Sequence, residues 1–286
     1  TGNELQAVSQ ATQLPVNFLR LPKANGYINL RLEEGYSIIN FMVMQDVVST
    51  KKVHPVVLAS AKNFLVTVAQ KEIQPIFNNA KERMSKPKID APSQVAYYIL
   101  DEIVASHYVH IEKLENLTAT IEEEVVEKTS QDTLKRIFKL KTNMISFNKI
   151  LWYERGLIFN LHKCGDSCMA AKARNLFDTT HEDLTRQIDI VETYREILSD
   201  AINVHLSAIS NKINLSIKGL TVVIFYLTIV TTITSFPNTV ATFFGIAQFG
   251  NTNIAIISLA LLLSIVFPFI WLWRKNWLTS KRLDYS

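Results

Sequence analysis

Fifty-five consecutive residues, Gly219 to Trp273, read GLTVVIFYLTIVTTITSFPNTVATFFGIAQFGNTNIAIISLALLLSIVFPFIWLW and contain no Asp, Glu, Lys or Arg. A bilayer core about 30 Å thick is crossed by roughly 20 apolar residues in helical form, so this stretch has room for two crossings. The polar segment Gln248–Asn253 favours a turn between them. We therefore predict a first transmembrane helix over 219–245, an outer loop over 246–252 and a second transmembrane helix over 253–273.

Positive residues flank both ends of this stretch, whereas the predicted loop carries no charge. Lys212 and Lys218 precede the first span, and a basic tail over 274–286 follows the second. Because Lys and Arg are enriched on the cytoplasmic side of a membrane, both termini are expected in the cytoplasm. We expect a multi-pass protein of the plasma membrane. This topology accounts for the formal net charge of +4 without a nucleic-acid partner.

The rest of the chain predicts a cytosolic part with two kinds of structure. Residues 1–90 have the pattern of an α/β domain, with a helix from about Lys71 to Met84 and strand-like runs over 27–31, 36–48, 56–58 and 63–68. No proline occurs between Pro92 and Pro237, which favours long helices: a pair over 91–168 with a coiled-coil-like seam, and a stalk helix over 169–218. The predicted fold class is thus an α+β membrane protein with two C-terminal transmembrane helices.

Two polar clusters in the helical zone have a structural and a metal-binding interpretation. Glu122, Glu123 and Glu124 fit a solvated acidic helix face better than a cation site. Cys164 and Cys168 follow His162, but the C-x3-C spacing and the lack of a fourth ligand do not match a zinc site. We interpret the second cluster as an exposed turn, after a helix whose start near Thr129–Asp132 offers capping residues.

Hydroxyl side chains form a stripe on the first predicted span. At 100° per residue they fall within an arc of roughly 80°; they are Thr221, Thr228, Thr232, Ser235, Thr239 and Thr242, and Asn214 continues the line towards the N-terminus. A polar stripe on an apolar span needs polar neighbours or water. It is explained by a pore shared by several subunits, by helix–helix packing, or by hydroxyls that bond to their own backbone.

A pore lined by uncharged hydroxyls suits a hydrated divalent cation, since Mg²⁺ gives up its waters reluctantly. Apolar residues near the cytosolic end of the stripe are candidates for a gate that closes by dewetting. These residues are Ile217, Leu220 and Ile224.

Several stretches in sequence order resemble the CorA family of divalent-cation channels, over nearly the whole chain. The segment 62–68 is similar to the family's sheet-domain strand, and 121–128 with 140–143 to its paired "willow" helices. The segments 189–197 and 210–214 are similar to the stalk. The resemblance implies a funnel-shaped homopentamer with the first span of each subunit around the pore.

The resemblance also implies a pore entrance that carries a Gly-Met-Asn signature, in which Asn side chains select a hydrated ion. Here the matching segment is Gly245-Ile246-Ala247, so the Gly is kept and the Met and Asn are replaced. Gln248 and Asn251 are the nearest amides that can stand in for the missing Asn. The register of the pore is open by two turns, because either Asn214 or Thr221 matches the family's Asn at the cytosolic mouth.

In the family, cytosolic acidic residues bind Mg²⁺ between subunits and hold the channel shut. The comparable residues here are Asp178, Glu182 and Asp183, with Thr179 in place of an expected Asp. Ordinary solvated stalk charges are the alternative interpretation of these three carboxylates.

The leading hypothesis is a passive homopentameric channel for hydrated Mg²⁺ or related ions such as Co²⁺ and Ni²⁺, with no bound cofactor. The alternatives are a diverged relative with another selectivity, such as Zn²⁺ as in the ZntB transporters or poorly selective cation passage, and a non-conducting membrane sensor or scaffold. No enzyme is predicted, since the sequence has no phosphate-binding loop, metal-binding motif or nucleophile elbow.

Overall fold

The structure is a computed structural model of the 286-residue chain. It describes residues 2–22, 28–48, 53–85, 87, 89–127, 130–164 and 171–244, and isolated residues between 258 and 274. In chain order its elements are α1 (Gly2–Thr12), β1 (Asn29–Glu33), β2 (Tyr36–Met44), β3 (Val53–Ala61), β4 (Leu65–Ala69), α2 (Gln74–Met84), α3 (Pro92–Glu127), α4 (Gln131–Lys163) and α5 (Ala171–Phe244). Short 3-10 helices lie at Val16–Leu19 and Lys71–Ile73.

The chain divides into two compact units, Thr1–Ala208 and Ile209–Ser286. The domain boundaries predicted at 90, 168 and 218 separate stretches with different predicted roles. These boundaries stay predictions. The helical zone does consist of long helices, as its lack of proline predicts.

The four strands form one antiparallel sheet in the order β1-β2-β3-β4. β1 and β2 are joined by a tight turn in which Gly35 has a φ of +91°, a conformation that other residues rarely adopt. β2 and β3 are nearly continuous runs of buried residues, and Ile39 lies opposite Leu58 in their register. Both faces of this central pair are therefore covered, which is why apolar residues do not alternate along them.

The N-terminal helix α1, which the sequence pattern did not predict, lies on one face of the sheet. A small core of Leu14, Leu19 and Ala59 is buried there, with Val66 and Val68 of β4 packed against it. The N-terminal residues thereby cover apolar side chains on that face of the sheet.

The opposite face of the sheet packs against α2, α3 and α4 through one extended apolar core. His110 of α3 contacts the Met44 carbonyl oxygen at 2.7 Å, and Asn143 of α4 donates from Nδ2 to the Val48 carbonyl oxygen at 2.9 Å. These hydrogen bonds fix α3 on the end of β2 and α4 on the segment that follows it. The start of α4 is capped as expected, because the Ser130 hydroxyl accepts from the Thr133 amide at 3.1 Å.

The N-terminal part of α5 completes a three-helix bundle. Gln187 of α5 donates from Nε2 to the Val104 carbonyl oxygen at 3.0 Å, and Lys141 of α4 donates to the Ser199 hydroxyl at 2.7 Å. Tyr97 and Phe177 meet edge to face at 5.2 Å. Because contacts advance in the same direction along α3 and α5, these two helices are parallel and α4 is antiparallel to both.

The end of α4 differs from the exposed turn that the sequence predicts. Cys164 is only 8% exposed and disulfide-bonded. Its carbonyl oxygen accepts from Nη1 of Arg174 at 3.0 Å. The turn is therefore wrongly predicted at this residue, because the start of α5 covers it. Residues 165–168 lie outside the described part of the chain.

A fully buried polar pair joins α3 to α4. His107 Nε2 lies 2.7 Å from Glu154 Oε2, and both side chains have no solvent exposure. Burial raises the pKa of the Glu154 carboxyl above its ordinary value, and the neighbouring His107 opposes this only in part. Burial therefore shifts this carboxyl towards its protonated form relative to an exposed Glu.

We predict that replacing Glu154 by Gln changes how stability depends on pH. A raised folded pKa gives a contribution that is complete below the ordinary pKa of 4.5 and is lost as the pH rises through the folded pKa. Gln has no carboxyl to ionise. The free energy of unfolding of Glu154→Gln, relative to the native chain, is expected to increase as the pH rises from about 4.5 towards neutral.

Urea denaturation of the full chain in detergent, followed by pulse proteolysis over a range of pH, measures this difference. The exposed Glu123→Gln variant is the matched control and should show little pH-dependent difference from the native chain. A Glu154→Gln difference that stays flat or shrinks as the pH rises would contradict the prediction.

Candidate functional site

The hydroxyl stripe lies on the C-terminal part of α5, which is one helix from Ala171 to Phe244. Its six hydroxyl residues and Asn214 are exposed in the single chain, and helical geometry places them on one face. Large apolar side chains, including Val223, Leu227 and Val230, are exposed around them. Most of the surface of this part of α5 is therefore apolar and unsuited to contact with water.

One helix among the described residues is long and apolar enough to cross a membrane. It is the segment Lys172–Ser235 of α5, which contains an 18-residue window of mean hydropathy 1.9, none of it buried. This segment holds four of the six stripe hydroxyls. Of the predicted second span, only isolated residues between 258 and 270 are described, and these are helical.

The stripe threonines donate their hydroxyl hydrogens to their own helix. Thr221 Oγ1 lies 2.8 Å from the Ile217 carbonyl oxygen, and Thr228 and Thr232 make the same bond four residues back at 2.8 and 2.7 Å. Thr239 and Thr242 do so at 2.9 and 2.7 Å. A hydroxyl that has donated its hydrogen still has lone pairs to accept with.

The stripe therefore offers hydrogen-bond acceptors along one side of an apolar helix. Acceptors suit the water molecules around a cation, since those waters point their hydrogens outward. Packing by hydrogen bonds between equivalent stripes is less suited, because each side would bring acceptors and few donors. Of the three explanations of the stripe, the structure shows the hydroxyls that bond to their own backbone, and the cation path stays a prediction.

The three gate candidates do not share one face. Ile217 and Ile224 lie within the arc of the stripe, whereas Leu220 lies about 100° away from Thr221. All three are exposed in the single chain. On this geometry Ile217 and Ile224 are the better candidates for an apolar constriction, and the role of all three stays a prediction.

The predicted entrance lies outside the described residues. This applies to Gly245, Ile246, Ala247, Gln248 and Asn251. Their assignment rests on the sequence alone.

The three candidate regulatory carboxylates lie on the part of α5 that belongs to the first unit. Asp178 Oδ1 is 3.1 Å from His162 Nδ1, and Asp183 is 3.6 Å from Arg186 Nη1, while Glu182 is exposed. Within the described residues of this single chain, no three His, Cys, Asp or Glu side chains are grouped closely enough to hold a metal ion. A site between copies would need ligands from a second chain, so this assignment stays a prediction.

The family of the chain follows from comparison with known proteins. Residues 23–275 match the family model described as CorA-like Mg²⁺ transporter protein. The chain belongs to the CorA family. This confirms the resemblance inferred from the sequence.

Two curated proteins named CorA are similar to parts of this chain. The cobalt/magnesium transport protein CorA of Thermotoga maritima is 28% identical over 165 residues, which cover 55% of this chain and 46% of that protein. The protein of the same name from Methanocaldococcus jannaschii is 24% identical over 223 residues, which cover 75% of this chain and 68% of that protein. This chain thus matches about half of the length of the Thermotoga protein.

The fold agrees with a solved CorA structure. The complete structure of the CorA magnesium transporter from M. jannaschii superposes with a TM-score of 0.71 at 19% identity, covering 96% of this chain and 88% of that one. This likeness shows a CorA fold, with a soluble α/β domain and long helices as predicted. Membership in a family of transporters also agrees with the prediction that the chain is not an enzyme.

One contact at the candidate regulatory site is not predictable from the sequence pattern. His162 was assigned to an exposed turn, yet it reaches Asp178 across the α4–α5 connection. Sixteen residues separate the two in sequence, and helix periodicity carries no signal for such a contact. Only the packing of α5 against α4 shows it.

We predict that removing the stripe oxygens slows cation passage. Val has nearly the shape of Thr but no hydroxyl, so Thr228→Val and Thr232→Val each remove one acceptor from every copy. If each lost hydrogen bond to a hydrated ion costs about 1 kcal/mol, divalent flux should fall by roughly fivefold per substitution. The measurement is ion uptake by proteoliposomes that contain the purified full chain.

The matched control is Thr234→Val. Thr234 also donates to its own helix, at 2.9 Å to the Val230 carbonyl oxygen, but it lies about 140° away from Thr221. Equal losses for the stripe variants and the control would show that the loss reflects helix stability and not a cation path.

Proposed function

We propose that the chain is the subunit of a passive homopentameric channel for hydrated divalent cations, with Mg²⁺ as the principal ion. The observation that carries this proposal is the stripe of hydroxyl oxygens, five of which belong to threonines that donate to their own helix, on a helix apolar enough to cross a membrane. Membership in the CorA family supports the choice of a divalent cation.

The proposed mechanism leaves the ion hydrated. Mg²⁺ holds its first-shell waters tightly, and stripping them is costly. In an assembly with the stripes around a common axis, these waters donate to the hydroxyl oxygens of successive stripe residues. Because the stripe has no carboxylate, no step binds the ion so strongly that it cannot leave.

Closure is assigned to the cytosolic end of the path. Ile217 and Ile224 of each copy would form rings of apolar side chains there, and a narrow apolar ring excludes water and with it a hydrated ion. Asn214 lies one turn before Ile217 on the same face and would form the cytosolic mouth.

The proposed topology has two transmembrane helices in the plasma membrane and both termini in the cytoplasm. It rests on the uncharged stretch from Gly219 to Trp273 and on the Lys and Arg residues that flank it. The soluble unit then lies in the cytoplasm.

The experiment that tests the function is ion uptake by proteoliposomes that contain the purified oligomer. Mg²⁺, Co²⁺, Ni²⁺, Zn²⁺ and Na⁺ are supplied in parallel, with empty liposomes as the control. We expect Mg²⁺ entry down its gradient. Entry of Zn²⁺ or Na⁺ without Mg²⁺ would assign a different selectivity, and passage of no ion from an assembled oligomer would favour a non-conducting sensor or scaffold.

Selectivity gives a further prediction at the proposed entrance. Ala247 stands where the family signature has Asn, so the ring of amide oxygens is absent unless Gln248 or Asn251 supplies it. We predict that Ala247→Asn raises the ratio of Mg²⁺ to Na⁺ flux several-fold, because five added amides would hold the hydrated divalent ion. The control is Thr252→Asn, which adds an amide farther along the same loop. An unchanged ratio in Ala247→Asn would show that this residue does not lie at the mouth.

A further inference from the structure

An exposed apolar row runs along α4 in the soluble unit. Phe138, Ile145, Trp152 and Phe159 recur at intervals of seven residues, and each is between 41% and 53% exposed. A spacing of seven keeps side chains on one side of a helix and is typical of a helix that packs against another. A row of large exposed apolar side chains at this spacing on a soluble unit indicates an interaction site.

Gly156 lies in the middle of this row, between Trp152 and Phe159. Gly is a poor helix former, and apart from the adjacent residues and backbone of its own helix no described atom lies within 4 Å of the position that a Cβ would occupy. Packing within the chain therefore does not require the small residue. The gap that it leaves between two aromatic rings is suited to the close approach of another helix.

The charged residues of α4 are mostly basic. The helix has seven Lys and Arg residues against two acidic ones, a net charge of +5. Three of these cations lie over rings of the exposed face: Arg155 over Trp152 at 3.9 Å, Lys149 over Tyr153 at 5.7 Å and Lys163 over Phe159 at 4.3 Å. Among the described residues, none of these three cations forms an ion pair.

The exposed face of α3 is complementary to α4. This helix has eight acidic residues and one Lys, a net charge of −7. Its exposed side also carries large apolar residues, with Val109 68% and Val126 80% exposed. The α3–α4 hairpin thus has an acidic, partly apolar side and a basic, aromatic side.

Two contacts within the hairpin set which residues of α3 and α4 lie at the same height. His107 of α3 contacts Glu154 of α4, and Glu124 of α3 contacts Arg136 of α4. Because the two helices are antiparallel, a residue of α3 and a residue of α4 lie at the same height when their residue numbers add to about 260. In copies related by rotation about an axis along these helices, the same levels hold between neighbours. The pairs placed at equal height are Trp152 with Val109, Gly156 with Ala105, Lys149 with Glu112 and Lys139 with Glu122.

We propose that α4 of one copy packs lengthwise and antiparallel on α3 of a neighbouring copy, with the aromatic row of α4 against Ala105 and Val109 and its Lys residues against Glu112 and Glu122. The inference rests on the self-assembly that is part of the proposed function. A contact between two different faces repeats from copy to copy, as a closed ring requires.

A photo-crosslinking experiment tests the contact directly. Trp152 is replaced by p-benzoylphenylalanine in the full chain, and light and heavy isotope-labelled copies are mixed before assembly in detergent. We expect cross-linked peptides that join Trp152 of one label to the Ala105–Glu112 segment of the other. Cross-links only within one copy, to another segment or to added lipid would overturn the proposal; the last would assign the face to the membrane surface instead.

Charge reversal gives a second and independent test. Lys149→Glu and Glu112→Lys each place like charges at one level, so each should reduce the Trp152 cross-link between copies by about fivefold. The double variant Lys149→Glu/Glu112→Lys should restore it. Lys81→Glu, an exposed reversal on α2, is the matched control and should have no effect. Failure of the double variant to recover, when each single variant is folded, would overturn the pairing.

The two proposals fail in different ways. An oligomer that passes no ion but gives the cross-link contradicts the channel and leaves the contact standing. An oligomer that conducts but gives no cross-link contradicts the contact and leaves the channel standing.

Discussion

The structure depends on the requirement that backbone polar groups be satisfied where water is absent. A segment in hydrocarbon has to make its hydrogen bonds internally, and a helix is the simplest way to do so. α5 meets this requirement by remaining helical from Ala171 to Phe244. Its threonines follow the same rule, because each of the five stripe threonines donates back to the helix that carries it.

This back-donation determines what the stripe can bind. A free hydroxyl is both donor and acceptor and can serve an anion, a cation or another helix. Once its hydrogen is engaged, the outward-facing part is an oxygen with lone pairs. The helix thereby turns five threonine hydroxyls into a row of acceptors that suits cations, in a stretch of sequence without charged residues.

Much of the fold was predictable because its signals are local. The start of α5 was predicted near Met169 from the lack of proline and glycine, and the helix begins at Ala171. Capping residues were predicted over Thr129–Asp132 from their chemistry, and Ser130 is the one that caps α4. The start of β3 was placed too late, because Pro55 suggests a break. Pro55 lies near the start of the strand, opposite Met42 of β2, whereas β4 pairs with β3 only from Val56 onward.

What could not be predicted depends on contacts between distant parts of the chain. α1 is short and has few apolar residues, and its position depends on a core with Ala59 that no local pattern encodes. The burial of Cys164 depends likewise on Arg174 and the start of α5. At the candidate site the stripe is a periodic signal and was found, whereas the hydrogen-bond direction of its threonines needed the structure.

Exposed apolar residues have opposite meanings in the two units of the chain. Around the stripe, Leu227 and Val230 are exposed on a helix that is apolar enough to face lipid, so they need no protein partner. Trp152 and Phe138 are equally exposed, but charged residues surround them on a helix of net charge +5 that is not a membrane span. Lipid does not explain them, whereas a second copy with an acidic α3 does.

The spacing of the stripe fits an ion that is passed from level to level. With 1.5 Å of rise per residue, successive stripe residues lie about 5 to 10 Å apart along α5. In the proposed assembly every copy contributes one oxygen at each level of the stripe, and together these oxygens form a ring of acceptors. A hydrated ion that leaves one ring therefore reaches the next while its waters are still hydrogen-bonded to the first. A path of several weak sites permits passage where a single strong carboxylate site would trap the ion. The absence of acidic residues along the stripe is therefore a condition for conduction, and selection between ions falls to the mouth and to the hydration shell itself.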